Sequence, residues 1–399
     1  DIINKYTAYV DDDPLKPVHA ANVEAHTKMN NATSFLVETI NKLGGPVDMV
    51  TGEFYSEEEP DFTIKSRGFD LSIIRKYRSR LIFNGPFGYG WTWNHAERLV
   101  ELNNGSIMYY NSDSKGFAIT SNGDGTYTYP AGTTFTLAKN VEAPFTITHY
   151  NGIKFHFDSF GKLTSKKDTS GNELTFSYDP SEQLESIGDS LGRNLNFSYL
   201  NGKISEITDF SGRSTFYEYN GDDLILFRDL KNNITMYEYL TSQENTLNDH
   251  NMSKYIMPNG DWLELVYYKD DTVALHRNKK GEVFNFQYSR LNKYAEVWNE
   301  EEYYRKLYFN DQNDVIRIDT EVGTIETYTY DTSHNVLSKT DGNGNTVTYT
   351  YDGFRNLTSK TNELDETWTY DYNSSFSKNM PTRIITPSNG EIEFLYWPN

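Results

Sequence analysis

Aromatic-x-aromatic pairs recur down the second half of this chain, and their spacing limits the folds open to it. They stand at Phe155-x-Phe157, Phe176-x-Tyr178, Phe197-x-Tyr199, Tyr217-x-Tyr219 and Tyr237-x-Tyr239. They resume at Phe286-x-Tyr288, Tyr328-x-Tyr330, Tyr349-x-Tyr351, Trp368-x-Tyr370 and Phe394-x-Tyr396, with Tyr268 and Tyr308 as weaker matches between. The closing aromatics step by 21, 21, 20, 20, 29, 20, 20, 22, 21, 19 and 26 residues. A period near 20 held this long marks a repeat architecture.

A turn runs in phase, some seven residues before each tail. It carries Gly171, Gly192, Gly212, Gly260, Gly281, Gly323, Gly344 and Gly390, with Asn232 and Asp365 where glycine is missing. These residue types tolerate positive φ. Asp168, Asp189, Asp209, Asp229 and Asp341 stand three residues earlier, where a carboxylate can accept a backbone N–H. Between turn and tail the pattern alternates: Val347, Tyr349 and Tyr351 share one face, and threonines the other. Period two means strand. Each unit therefore reads as a β-hairpin that cannot bury its apolar face alone, so the hairpins stack into one long sheet.

The front differs. Phe35, Leu36, Ile40 and Leu43 have helical spacing over 30–43, and Gly44-Gly45 stops the run. The predicted organisation is a leader with one short helix over 1–44, a β segment over 45–150, and a hairpin array over 151–399 cut off at its C-terminal end. The 29-residue step holds a polar insertion at 240–254, which reads as a surface loop.

Composition excludes several functions. Net charge is −20 and spread along the chain, which disfavours nucleic acid and anionic membranes. There is no cysteine, hence no disulfide, thiolate metal site or cysteine nucleophile. No apolar run is long enough for a membrane-spanning helix. Acidic runs such as Glu57-Glu58-Glu59 read as solvated surface. "NGDGT" at 122–126 and "DGNGN" at 341–345 lack calcium-loop spacing and read as hairpin turns. His149 and His156 do not make a metal set, and His156 is expected to point outward. Trp91, Trp93 and His95 alternate, as a sugar platform would, but read better as packing.

The unit "GNGNTVTYTYDGFRNLTSKTN" resembles the YD repeats of Rhs proteins. "PVDMVTGEFYSEEEPDF", "LSIIRKYRSR" and "GPFGYGWTWN" resemble the segment that precedes those repeats in bacterial Rhs and wall-associated polymorphic toxins. The resemblance implies an all-β spiralling sheet that forms a hollow shell around a C-terminal toxin, secreted or at the bacterial surface. Its partners would be the rest of the shell and the cargo, with a delivery or cell-surface partner beside them. No enzyme activity, cofactor or metal is expected of this section. The family's paired-aspartate cutting motif is not found: Asp13-Pro14 and Asp179-Pro180 lack the Gly-x-x-Asp-Gly sequel. The chain reads as a front section that stops in mid-repeat. The alternative is a surface adhesin that binds glycan or protein through its aromatic ribbon.

Overall fold

The computed structural model describes residues 45–57, 59–130, 133–139, 143–241, 246–373 and 381–394. The helix expected over 30–43 and the tail Tyr396 lie outside them. One antiparallel sheet of 25 strands dominates, running in strict sequence order from Phe135–Ala138 to Glu391–Glu393. It takes in two strands, Phe135–Ala138 and Phe145–His149, ahead of the first repeat unit. The front segment forms small sheets of its own. Tyr55–Glu57, Arg75–Arg78 and Trp91–Trp93 make one, and Arg98–Glu101, Ile107–Tyr110, Gly116–Ser121 and Tyr127–Thr128 another.

The in-phase turns explain the hairpins. Asp168 N–H donates to the Asn172 carbonyl, Gly171 N–H donates to the Asp168 carbonyl, and the Asp168 carboxylate accepts from the Ser170 and Asn172 N–H groups. This is a three-residue loop closed by a left-handed residue. The same bonds recur at Asp189, Asp209, Asp229 and Asp341. Positive φ falls on Gly171, Gly192, Gly212, Asn232, Gly260, Gly281, Gly323, Gly344 and Asp365. The last turn departs from expectation: Asn389, not Gly390, holds the left-handed position. "NGDGT" and "DGNGN" are both hairpin turns, with the Asp124 and Asp341 carboxylates accepting local N–H groups.

The opposite ends use the same device with larger residues. Asp331 and Asp352, the aspartates of the YD pairs, close loops whose left-handed residues are His334 and Arg355. Both side chains reach back 20 residues or so. His334 Nδ1 meets Asp314 at 2.7 Å and Arg355 Nε donates to Asn335 at 3.0 Å. Contact with the preceding unit thus accounts for a strained conformation on a non-glycine residue.

Gly344 has φ +88° and open space around its Cα, whereas a side chain on Gly161 would overlap the Leu99 carbonyl. Gly344→Ala should therefore destabilise by about 1–2 kcal/mol, the left-handed penalty alone. Gly344→Asn should cost less, because asparagine tolerates this region. Gly161→Ala should cost more than either. Urea melts of the three variants check this order.

The sheet curls. Tyr150 and Phe354 lie on hairpins about 18 strands apart in sheet order, roughly 85 Å if the sheet were flat. Their rings meet at 5.7 Å. The ribbon has therefore come round on itself, and the apolar faces of its strands look inward.

Candidate functional site

The inner face of the curl, with the front segment seated on it, is where buried chemistry concentrates. In six of the pairs the first aromatic is buried (Phe176, Phe197, Tyr217, Tyr237, Phe286 and Tyr328), whereas Phe155, Tyr349 and Trp368 are half-buried and Phe394 is exposed. The second sits beside a β-bulge. Register slips just before Phe157, Tyr178, Tyr199, Tyr219, Tyr239, Tyr267, Phe309, Tyr330 and Tyr351. Two tails differ from expectation. Tyr267 and Phe309 hold the position, and Tyr268 and Tyr308 each stand one residue off, on the other face of their strands. Tyr268 gives its hydroxyl to the Phe286 carbonyl, and Tyr308 lies under Arg317. Spacing alone could not resolve one residue in adjoining aromatics.

The bulge explains why the tails are tyrosines. An extra residue on the return strand frees a backbone carbonyl from the ladder. In five units the tyrosine of the following unit takes it. Tyr178 Oη donates to Leu163 O, Tyr199 to Leu184 O, Tyr219 to Ile204 O, Tyr267 to Met252 O and Tyr330 to Val315 O, at 2.7–3.1 Å. Phenylalanine occupies the tails Phe157 and Phe309. The hairpin before each has no bulge, hence no freed carbonyl. Tyr288 departs from this pattern: the hairpin before it is bulged at Tyr267, yet its buried hydroxyl has no hydrogen-bond partner among the described residues. Tyr370 pairs with Ile384 in the penultimate hairpin.

The freed N–H groups go to the front segment where it passes. Ile204 N–H donates to Pro86 O at 2.9 Å and Val273 N–H to Gly52 O at 2.8 Å. Met252 N–H donates to Tyr77 Oη at 2.9 Å. Side chains follow the same course unit by unit. His95 meets Phe176, Trp93 meets Phe197, Phe87 meets Tyr217, Trp91 meets Tyr237, and Tyr77 meets Tyr239, with rings 5.1–6.1 Å apart. Trp91 and Trp93 are buried there, so neither is a sugar platform.

Asp61 and Arg75 form the centre of this interface. Both side chains are fully buried, 2.6 Å apart at their nearest atoms. The Arg75 guanidinium makes two bonds to Asp61 and packs against Trp91, Tyr217 and Phe227. Tyr217 Oη donates to the same carboxylate at 2.8 Å. Such a pair is tolerated only when both partners are satisfied. The sequence offered "RKYR" and "PDF" with nothing to single them out, because the pair is completed by Tyr217, 156 residues along in the repeat. The second half of the 240–254 insertion also departs from a surface loop. Tyr77 Oη donates to His250 O at 2.8 Å, and His250 stacks on Tyr89 at 4.3 Å.

His149 packs edge-on against Phe155, and His156 Nδ1 faces Thr146 Oγ1 at 3.0 Å. Neither belongs to a group of three or more metal-ligating side chains among the described residues.

The carboxyl of Asp271 titrates at about 7, pushed up by burial against the opposing pull of Arg80 and the Asn251 amide. Glu53 and Asp270 add to the rise. The folded state holds this proton more tightly than the unfolded chain. The associated stability is complete below the ordinary carboxylate range and is lost as pH rises through 7. Melting temperature should fall between pH 6 and pH 8, and Asp271→Asn should flatten that slope. A wild-type melt that rises over the same interval would contradict it.

Two family models match. One, described only as a domain of unknown function, DUF6531, covers residues 44–117. The other, the RHS repeat, covers 157–193 and 330–364, where the tails and turns are in phase. The chain carries repeats of the Rhs/YD-repeat family. No curated protein matches it. Among solved structures, the Tc holotoxin pore of Photorhabdus luminescens is similar at 11% identity and a TM-score of 0.43, over 87% of this chain and 20% of that one. The TcdB2–TccC3 crystal structure is similar at 10% identity and a TM-score of 0.31, over 87% of this chain and 24% of that one. This Rhs chain spans about a fifth of the length of those chains, and similarity at this level does not bear on function.

Proposed function

We propose that this Rhs section is a structural, non-catalytic part of a hollow shell that encloses a toxin cargo supplied further along the polypeptide, outside the producing cell or at its surface. In this reading residues 1–44 lead in, 45–150 line the start of the shell, and 151–399 form its wall. The observation that carries it is the contact between Tyr150 and Phe354, which brings a 25-stranded sheet round on itself with its apolar face inside. A curled sheet without edges along its length can hold an interior apart from solvent. The tail hydroxyls bonded to neighbouring units favour this over the adhesin, since a binding surface needs its rings at the outside.

Electron microscopy of the complete gene product tests it, together with proteolysis of the intact particle. The shell reading expects a hollow particle whose terminal segment survives a protease that digests it once the shell is unfolded. An open ribbon with an immediately digested terminus would overturn it.

A further inference from the structure

A cavity of about 390 Å³ opens where the front segment leaves the inner face, beside the hairpins that carry Tyr178 and Tyr199. Its apolar walls include Trp93 and Phe176. The charged groups that line it are mostly matched. Glu97 is held by Lys166 at 2.9 Å, Lys162 by Glu182 at 3.0 Å, and Lys203 by Asp222 at 3.3 Å.

Arg98 is the exception. Its guanidinium lies between the rings of Phe83 and Tyr110, 4.3 and 4.1 Å from their centres. One donor makes a long bond to Ser114 Oγ at 3.4 Å, and no carboxylate pairs with it among the described residues. Burial lowers it to about 10, so it stays charged at neutral pH. In a chain of net charge −20, a largely buried arginine without an acid stands out. A guanidinium held between two rings and bonded only to Ser114 Oγ has N–H groups to spare, and two of them on one edge fit a carboxylate with two parallel bonds.

We infer that this cavity is a binding site for a small carboxylic acid with an apolar body, its carboxylate on Arg98 and its body against Trp93 and Phe176. The inference does not depend on whether the shell holds a cargo.

Calorimetry on the 399-residue chain with 3-phenylpropionate, 3-phenylpropan-1-ol and acetate tests it. The acid should bind at least about tenfold more tightly than the alcohol, the ratio expected of a charged hydrogen-bond pair. It should also bind at least about tenfold more tightly than acetate, which lacks the apolar body. Arg98→Met should remove the preference for acid over alcohol. Arg98→Lys keeps the charge without the fork, and should weaken the acid severalfold. Equal binding of acid and alcohol by the wild-type protein would overturn the inference, as would acetate matching the acid. So would millimolar acid without heat, or a folded Arg98→Met that binds as before.

Discussion

Replacing Arg75 with methionine is expected to destabilise the protein by about 3–5 kcal/mol, because Asp61 is left charged, buried and without its partner. The pair lies at the contact between the front segment and the curled sheet, with both side chains fully buried. Truncating the arginine also strips the packing against Trp91, Tyr217 and Phe227. Asp61→Leu combined with Arg75→Met should recover much of the loss, since an apolar pair of similar volume is often neutral there. Chemical melts of the single and double variants decide the matter. A double variant no better than Arg75→Met would mean that the ring contacts, not the charge pair, dominate. The exposed pair of Lys139 with Glu101 is a suitable control: Lys139→Ala should change stability by less than about 1 kcal/mol.

The repeat was legible in the sequence because its cause is local. Alternation sets the strands, and left-handed turn residues such as Gly171 and Gly344 end them. Both are written within one unit. The inward direction of the tails follows from the same alternation. The front segment's place inside the curl was not legible. Asp61 meets Arg75 14 residues away, which periodicity does not encode, and Tyr217 meets Asp61 across 156 residues. The one-residue displacement at Tyr267 and Phe309 was hidden for another reason. Two aromatics adjoin at each place, Tyr267 with Tyr268 and Tyr308 with Phe309, and a count by period does not choose between them. A signal did exist: Phe157 among the tyrosines marks a hairpin that follows an unbulged one.

That signal leads to the second large effect. Tyr219→Ala should destabilise by about 3–5 kcal/mol through lost transfer energy and the cavity left beside Ile204 and Leu224. Tyr219→Phe keeps the ring and isolates one bond. It should cost about 1–3 kcal/mol, because the Ile204 carbonyl, released by the preceding bulge, loses its donor. The reverse change at Phe309 has no carbonyl to serve, since the hairpin before it is regular. Phe309→Tyr should therefore destabilise, by bringing a hydroxyl into a buried site without a partner. Ser198→Ala, on the exposed face, should stay within about 0.5 kcal/mol. Tyr199 and Tyr219 lie on adjoining units and share the hairpin between them, so their alanine variants should be non-additive. Tyr178 and Tyr330 are far apart along the ribbon, and theirs should add. Urea melts across this set measure whether the hydroxyl or the ring alone joins one hairpin to the next. If Tyr219→Phe and Phe309→Tyr were both neutral, the bulge carbonyl would not be what selects tyrosine at the tails.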